Sequence, residues 1–193
     1  MSRQLTPGER DSLLWPIFGP TLPYQRIRCH VNRLRLGGRG NSIAPMGNPY
    51  FAPLIYCQDF SNESKDLYGN PEVSLRQKSI FIHELTHVWQ HYHGVNVVKS
   101  AVLLFVRCRC RYKNAYAYSL STRKTFAQYN IEQQAEIVAD YWGITELIKR
   151  PTHRALTARL PEFAQCLETI RQSGSPRSRR RFAMPESPSD EIA

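Results

Sequence analysis

Apolar residues between positions 74 and 94 recur at intervals of three and four, the spacing of residues on one face of an α-helix. They form two adjoining rows, made of Phe81, Ile82, Leu85, Val88, Trp89 and Tyr92. Ser74 and Gln77 stand in the positions of a capping box before these rows, and Gly94 follows them. We therefore predict a helix between Ser74 and Gly94 whose broad apolar face lies in the core.

The N-terminal segment carries a similar start signal. Thr6, Pro7 and Glu9 occupy the cap, the first helical position and the third position after the cap, so we predict a short peripheral helix from about Pro7 to Trp15. Polar and apolar residues then alternate over residues 25–31, which is typical of a strand.

Two short segments, 41–45 and 49–56, flank the turn-forming sequence Met46-Gly47-Asn48 and predict a hairpin. Their three prolines disfavour a central position in a sheet, so we place this hairpin at a sheet edge. An exposed edge of this kind can hold an extended peptide by backbone pairing.

Residues 95–106 are apolar except at three positions. The run is shorter than the roughly 20 residues that cross a bilayer, so we predict a buried helix, with a membrane-surface helix or a lid as the alternative. Basic and aromatic residues alternate over 107–118 and indicate a strand with Tyr116 and Tyr118 on one face. Either tyrosine could hydrogen-bond a tetrahedral intermediate, and simple aromatic packing is the alternative.

The C-terminal part predicts two more helices. The first covers residues 130–142, and the second covers 152–170, with Pro161 as a possible break. From residue 173 the composition changes to Ser, Pro and Arg. We therefore expect one domain over residues 1–172 and a basic, disordered tail over 173–193.

The helix at 74–94 contains the motif His83-Glu84-x-x-His87. Residues four apart lie one above the other on a helix, so both imidazoles can reach one metal ion from the same side. Glu84 projects beside them, where a carboxylate can take a proton from an attacking water. This layout is typical of a zinc hydrolase, with Glu84 as the catalytic base; two surface histidines on an ordinary amphipathic helix are the alternative.

Three acids lie on one stripe of the next predicted helix, because Glu132, Glu136 and Asp140 follow each other at steps of four. Catalytic zinc takes three protein ligands, so one of these acids is the expected third ligand, and another could accept the second N–H of a ligating histidine. Spacing alone favours Glu136 as the ligand with Asp140 as its supporting partner. A solvated acidic face is the alternative.

The chain has 26 basic and 16 acidic residues and a formal charge of +10. The basic residues are spread without a nucleic-acid-binding motif, so we expect attraction to an acidic envelope and no nucleic-acid partner. The five cysteines are irregularly spaced and do not suggest a disulfide framework. We expect no transmembrane segment and no secretory signal peptide.

The motif His83-Glu84-Leu85-Thr86-His87-Val88-Trp89-Gln90, the segment 129–136 (Tyr-Asn-Ile-Glu-Gln-Gln-Ala-Glu) and the opening Leu-Thr-Pro-Gly-Glu together resemble one protein family. This family comprises the zinc metallopeptidase domains found alone, or fused to the C-terminus of bacterial type VI secretion spike proteins of the valine-glycine-repeat type. The resemblance covers about residues 5–150.

The resemblance implies a zincin-like α+β fold in which the helix bearing the motif packs on a small antiparallel sheet or hairpin. It assigns zinc to His83 and His87, catalysis to Glu84, and the third ligand to the acid that opens Glu-Gln-Gln-Ala, here Glu132. Glu136 and Asp140 then take supporting positions. It also implies a toxin delivered by a fused or cognate spike into a competitor's periplasm, a protein or peptide substrate in that envelope, and a cognate immunity protein. A metal-stabilised binding module that inhibits an envelope target without hydrolysis is the alternative.

Overall fold

The computed structural model describes residues 2–33, 41–65, 68–108, 112–121, 123–149 and 151–172, so the tail predicted at 173–193 lies outside the described residues. The fold is mixed α+β and mostly helical. The strands are β1 (Ser2–Gln4), β2 (Arg28–Val31) and β3 (Tyr50–Phe51). The helices are α1 (Trp15–Phe18), α2 (Leu75–Tyr92), α3 (Val97–Arg107), α4 (Ile131–Leu147) and α5 (Leu160–Gln172).

Helix α2 lies in the centre of the core, as predicted. The Ser74 hydroxyl accepts a hydrogen bond from the Gln77 backbone N–H at 3.2 Å, and the Gln77 side chain accepts one from the Ser74 backbone at 3.0 Å. This reciprocal capping box satisfies two donors at the start of the helix. At the other end Gly94 adopts a φ of 89°, which only glycine takes up without strain. The segment from Phe81 to Gln90 is buried on all sides.

Helix α4 packs directly on α2. It confirms the helix predicted at residues 130–142. Asn130 caps it by accepting hydrogen bonds from the backbone of Glu132 and Gln133 at 2.9 Å each. Its buried face includes Ala135, Val138 and Ala139, and these small side chains are compatible with close approach of the two helices.

The sheet is smaller and differently paired than predicted. Strand β1 is antiparallel to β2, but β3 runs parallel to β2, so the predicted antiparallel sheet is wrong in this detail. The sheet contacts α2 through Phe51, whose ring packs with those of Phe60 and Phe81. The strand predicted at 25–31 is confirmed only in its second half, because residues 24–26 form a 3₁₀ turn.

The predicted hairpin is present in a short form. Ile43 and Tyr50 exchange backbone hydrogen bonds of 3.0 and 2.7 Å, and Gly47 turns the chain between them with a φ of 76°. The N-terminal helix is longer than predicted and is not peripheral. A π-helical stretch (Glu9–Leu14) continues into α1, and Leu14, Ile17 and Phe18 lie in the core.

Helix α3 contradicts the prediction of a buried helix, because only Val97, Ser100 and Leu104 are buried along it. The strand predicted over 107–118 is also wrong in its described part. Residues 112–115 form a 3₁₀ turn and residues 116–120 run without a strand partner. An alternating pattern makes a strand only where a neighbour completes its hydrogen bonds.

The last predicted helix is divided shortly before Pro161, the residue that its sequence suggested as a break. A 3₁₀ segment (Pro151–Arg159) leads into α5, and Pro161 occupies the first turn of α5, where its missing N–H costs nothing. The described cysteines, Cys29, Cys57, Cys108 and Cys166, are free thiols. Across the described helices we find none with the length and hydropathy needed to cross a membrane.

Candidate metal site and cleft

Three side chains predicted from the sequence converge between α2 and α4. The Nε2 atoms of His83 and His87 lie 3.2 Å apart, and Oε2 of Glu132 lies 3.3 Å from the first and 3.2 Å from the second. All three residues are at most 9% exposed. His83 and His87 come from adjacent turns of α2, and Glu132 comes from the capped first turn of α4.

This triangle fits a zinc ion. Zinc binds histidine nitrogens and carboxylate oxygens at about 2.0–2.2 Å, so two ligand atoms at tetrahedral angles stand about 3.3 Å apart. The three observed separations match that value. The set of two imidazoles and one carboxylate also suits zinc chemically, and among the described residues it is the group that could hold a metal ion.

The other nitrogens of the two imidazoles are also engaged. Nδ1 of His87 lies 2.8 Å from Oε1 of Gln90, and Nδ1 of His83 lies 3.3 Å from Oε1 of Glu136. Since an amide oxygen accepts only, the Nδ1–H of His87 donates to Gln90 and leaves the Nε2 lone pair directed at the triangle. Glu136 therefore lies beside a histidine, in the supporting position that the resemblance implied.

Glu84 lies next to this triangle and is 5% exposed. Its Oε2 has no hydrogen-bond partner among the described residues, although a buried carboxylate oxygen ordinarily has one. An oxygen in this state can accept a proton from a molecule that enters the site. The structure thus places the predicted base beside the three candidate ligands.

The electrostatics of the site favour a positive charge. Burial opposes charging of the imidazoles, but the carboxylates of Glu132 and Glu136 outweigh it and raise the pKa of His83 to about 10. Glu132 likewise raises the pKa of His87 against the effect of burial. Burial raises the pKa of Glu84, whereas the histidines hold the pKa of Glu132 far below its usual range. A site arranged in this way attracts a cation.

The two tyrosines considered in the sequence have different surroundings. The ring of Tyr116 lies 5.9 Å from that of His83, and its hydroxyl interacts with Glu132. Burial, together with the carboxylates of Glu132, Glu84 and Glu136, raises the pKa of Tyr116, so its hydroxyl keeps its proton. The Tyr118 hydroxyl instead donates to Asp140, which is exposed one turn beyond Glu136. The supporting role predicted for Asp140 beside the histidines therefore remains a prediction.

Sequence reasoning missed Gln90 and Gln134. Gln90 is fully buried, and its amide nitrogen donates to the Ile131 carbonyl at 3.0 Å and to Gln134 Oε1 at 2.9 Å. Gln134 donates in turn to the carbonyls of Phe126 and Tyr129. The signal was available, because Gln90 is three residues from His87 and a polar residue on a core face needs a partner.

A cleft of about 690 Å³ contains His83, Glu84, His87 and Glu132. One wall is the hairpin segment 41–45, and the other is α3, which contributes only apolar side chains. A neighbouring cavity of about 760 Å³ shares Tyr116 but is lined by charged residues, among them Glu136, Asp140 and Arg159. The candidate site thus opens into a cleft that has the apolar side chains of α3 on one side, and a charged cavity adjoins this cleft at Tyr116.

The chain is similar to a solved structure, the effector domain of VgrG2b from Pseudomonas aeruginosa. The TM-score is 0.65 and the sequences are 33% identical, with 83% of each chain covered. The chain belongs to the VgrG2b effector-domain family. The type VI secretion system spike protein VgrG2b of Pseudomonas aeruginosa is 38% identical over 142 residues, which are 72% of this chain and 13% of that protein. The similarity to VgrG2b thus spans only a small part of the spike protein. No protein-family model matches the chain.

Proposed function

We propose that the chain is a zinc-dependent peptidase of zincin-like architecture that acts as an antibacterial type VI secretion effector in the periplasm of the target cell. One observation carries the enzymatic part of this proposal. His83, His87 and Glu132 converge at the spacing of zinc ligands, beside a buried Glu84 oxygen that has no partner among the described residues. These three residues would hold the zinc, and Glu84 would act as the base.

The chemistry divides between the ion and the chain. A bound zinc ion would lower the pKa of water and polarise the scissile carbonyl. Glu84 takes the proton from the attacking water and passes it to the leaving amine. Gln90 and Glu136 hold the imidazole rings of His87 and His83 in orientation through their Nδ1 atoms. Tyr116, whose hydroxyl lies at the same cleft, supplies a donor for the oxygen that gains charge.

The hairpin wall supports a peptide as the substrate. The backbone N–H and C=O of Ile43 are both bonded to Tyr50 in an antiparallel bridge. Because backbone groups alternate in direction along an extended segment, we infer that those of Ser42 and Ala44 are turned away from Tyr50. Both residues line the cleft. An extended peptide can pair with such an edge, which would place one of its peptide bonds beside Glu84.

The biological part of the proposal rests on the family. The relative named above is a type VI secretion spike protein, so we infer delivery of this chain by a fused or cognate spike. A cognate immunity protein would protect the producing cell. The charge of +10 suits an anionic envelope, where the protein or peptide substrate would lie.

The enzymatic proposal is tested by replacing Glu84 with Gln, which keeps the shape of the side chain but cannot accept the proton. The expected result is full zinc stoichiometry with loss of peptide hydrolysis and of toxicity. His83→Ala and His87→Ala should instead lose both the metal and the activity. Wild-type toxicity in Glu84→Gln would contradict hydrolysis and favour the metal-stabilised binding module.

The site of action is tested by expressing the chain in a sensitive bacterium with and without an added secretion signal. Killing should require the signal, because the proposed substrate lies in the envelope. Glu84→Gln with the signal is the matched control. Equal killing by the chain without the signal would exclude a periplasmic target.

A further inference from the structure

Helix α3 exposes large apolar side chains on two different sides. Val98, Val102 and Phe105, which we call the α3 wall, are 46%, 58% and 46% exposed and line the cleft that contains Glu84. Leu103 and Val106 are 46% and 67% exposed, but they do not line that cleft. Contiguous apolar surface beside a binding groove marks a ligand site, because water contact with these groups is unfavourable.

The α3 wall stands opposite a backbone edge. The hairpin segment Ser42–Pro45 lines the other side of the same cleft, and the buried residues Glu84 and Glu132 lie within it. A molecule that reaches Glu84 through this cleft therefore meets hydrogen-bonding backbone on one side and apolar side chains on the other. A peptide chain matches both sides at once, since its backbone can pair and a side chain can be buried.

We infer that the α3 wall is a specificity surface for a large apolar side chain next to the scissile bond of an extended peptide. The inference rests on the proposed peptidase function and names the class of peptide that this site accepts. The cleft volume of about 690 Å³ lies within the range of roughly 300–1,000 Å³ that ligand sites occupy. Burial of a Leu or Phe side chain against valine and phenylalanine favours that peptide over one with a charged residue at the same position.

A lipid surface is the competing occupant of an exposed apolar helix, and the geometry disfavours it. Val98, Val102 and Phe105 face the groove, whereas a flat bilayer would engage the outer side, where Leu103 and Val106 stand with Lys99 and Arg107. Substitutions on the two sides of α3 therefore give matched variants, with one exposed valine inside the cleft and one outside it.

The test uses the zinc-loaded chain carrying Glu84→Gln, so that peptides are retained rather than cut, and a synthetic library of short peptides. Retained peptides should be enriched in Leu, Ile, Phe or Met at one position. Val102→Glu should weaken retention of these peptides by about tenfold or more, because a carboxylate would face the buried apolar group. Val106→Glu, at a position that is also exposed but lies outside the cleft, should retain them as before. Zinc content is measured in every variant.

A parallel digestion of the library by the zinc-loaded wild-type chain separates this inference from the function on which it rests. Cleavage without an apolar preference would overturn the specificity surface and leave the peptidase intact. Retention with the preference but without cleavage would support the surface and overturn the peptidase. No retention of any peptide, or equal losses in Val102→Glu and Val106→Glu, would overturn the inference. Binding of phosphatidylglycerol vesicles that is lost in Val106→Glu, with peptide retention unaffected by Val102→Glu, would assign the helix to a membrane.

Discussion

Gln90 connects His87, a candidate metal ligand, to α4, the helix that carries the candidate ligand Glu132. Its Oε1 accepts from Nδ1 of His87 at 2.8 Å, and its amide nitrogen donates to the Ile131 carbonyl and to Gln134 on α4. Removing the Gln90 amide by Gln90→Leu should therefore release the His87 ring and weaken zinc binding by roughly 10–100-fold, the usual effect of losing such a partner. Competition with a chelator measures it.

Thr86→Val is the matched control for the loss of a buried polar group in the same helix. The Thr86 hydroxyl donates to the Ile82 carbonyl and does not contact the candidate ligands. This variant should retain the zinc affinity of the wild type. If both substitutions weaken zinc binding equally, Gln90 acts through the stability of α2 and not through His87.

Local signals in the sequence predicted the two helices that carry the candidate site. The capping residues Ser74 and Asn130 set the starts of α2 and α4, and the helical repeat places residues four apart on one face. Glu132 and His83 are 49 residues apart in the chain, and the packing of α4 on α2 brings them together, so no local pattern contains that information. Spacing alone accordingly favoured Glu136, whereas the carboxylate that lies with the two imidazoles in the structure is that of Glu132.

The third-ligand assignment is tested by comparing Glu132→Ala with Glu136→Ala. Glu132 Oε2 lies 3.2–3.3 Å from both Nε2 atoms, whereas Glu136 lies 3.3 Å from Nδ1 of His83. Glu132→Ala should abolish stoichiometric zinc binding, and Glu136→Ala should weaken it by roughly 10–100-fold. Direct measurement of bound zinc decides the matter, and loss of the metal in Glu136→Ala alone would exchange the two roles.

The Tyr116 hydroxyl, which interacts with Glu132 in the structure, is expected to contribute to turnover by donating to the substrate oxygen that gains charge. It lines the cleft that contains Glu84, and its raised pKa keeps it a hydrogen-bond donor. Tyr116→Phe should lower kcat by roughly tenfold or more, as loss of a donor to a developing negative charge does. Tyr118→Phe is the control, since that hydroxyl donates to Asp140. Peptide hydrolysis at unchanged zinc content provides the measurement, and equal rates in wild type and Tyr116→Phe would leave packing as the role of this ring.

A buried ion pair should dominate the stability of the N-terminal segment. Glu9 is fully buried and accepts from the Arg3 guanidinium at 2.8 Å and from the backbone of Phe60 at 2.9 Å. Glu9→Ala should lower the free energy of unfolding by about 3–5 kcal/mol, because the Arg3 charge and the Phe60 N–H lose their partner. The exposed pair Arg10–Asp11 is the control, and Asp11→Ala should cost far less stability, because water screens this pair. Denaturant titration compares them, and similar losses in both variants would contradict the argument.

Periodicity could not predict the environment of α3. Its apolar positions were read correctly as a helix, but the pattern does not say whether an apolar face meets the core, a ligand or solvent. Val102 and Phe105 face a cleft whose other wall comes from residues 41–45, some 60 residues earlier in the chain. The prediction of a strand around Tyr116 was wrong for a related reason. The sequence of a segment does not specify which other residues would pair with it.

Gly47 forms the turn that follows the hairpin segment lining the cleft. Its φ of 76° disfavours any other residue, and a Cβ added there would lie 2.7 Å from Cδ2 of His91 on α2. Gly47→Ala should therefore cost the backbone strain of about 1–3 kcal/mol together with the clash. Gly94 provides the comparison, because its φ is 89° but an added Cβ meets no described atom within 4 Å, so Gly94→Ala carries the strain alone. Thermal or denaturant unfolding should show Gly47→Ala as the less stable variant.

Gly47→Ala should also lower peptide hydrolysis at unchanged zinc content. The candidate ligands belong to α2 and α4, whereas the displaced segment forms the cleft wall. Equal stability of the two variants would show that the His91 ring moves aside without cost.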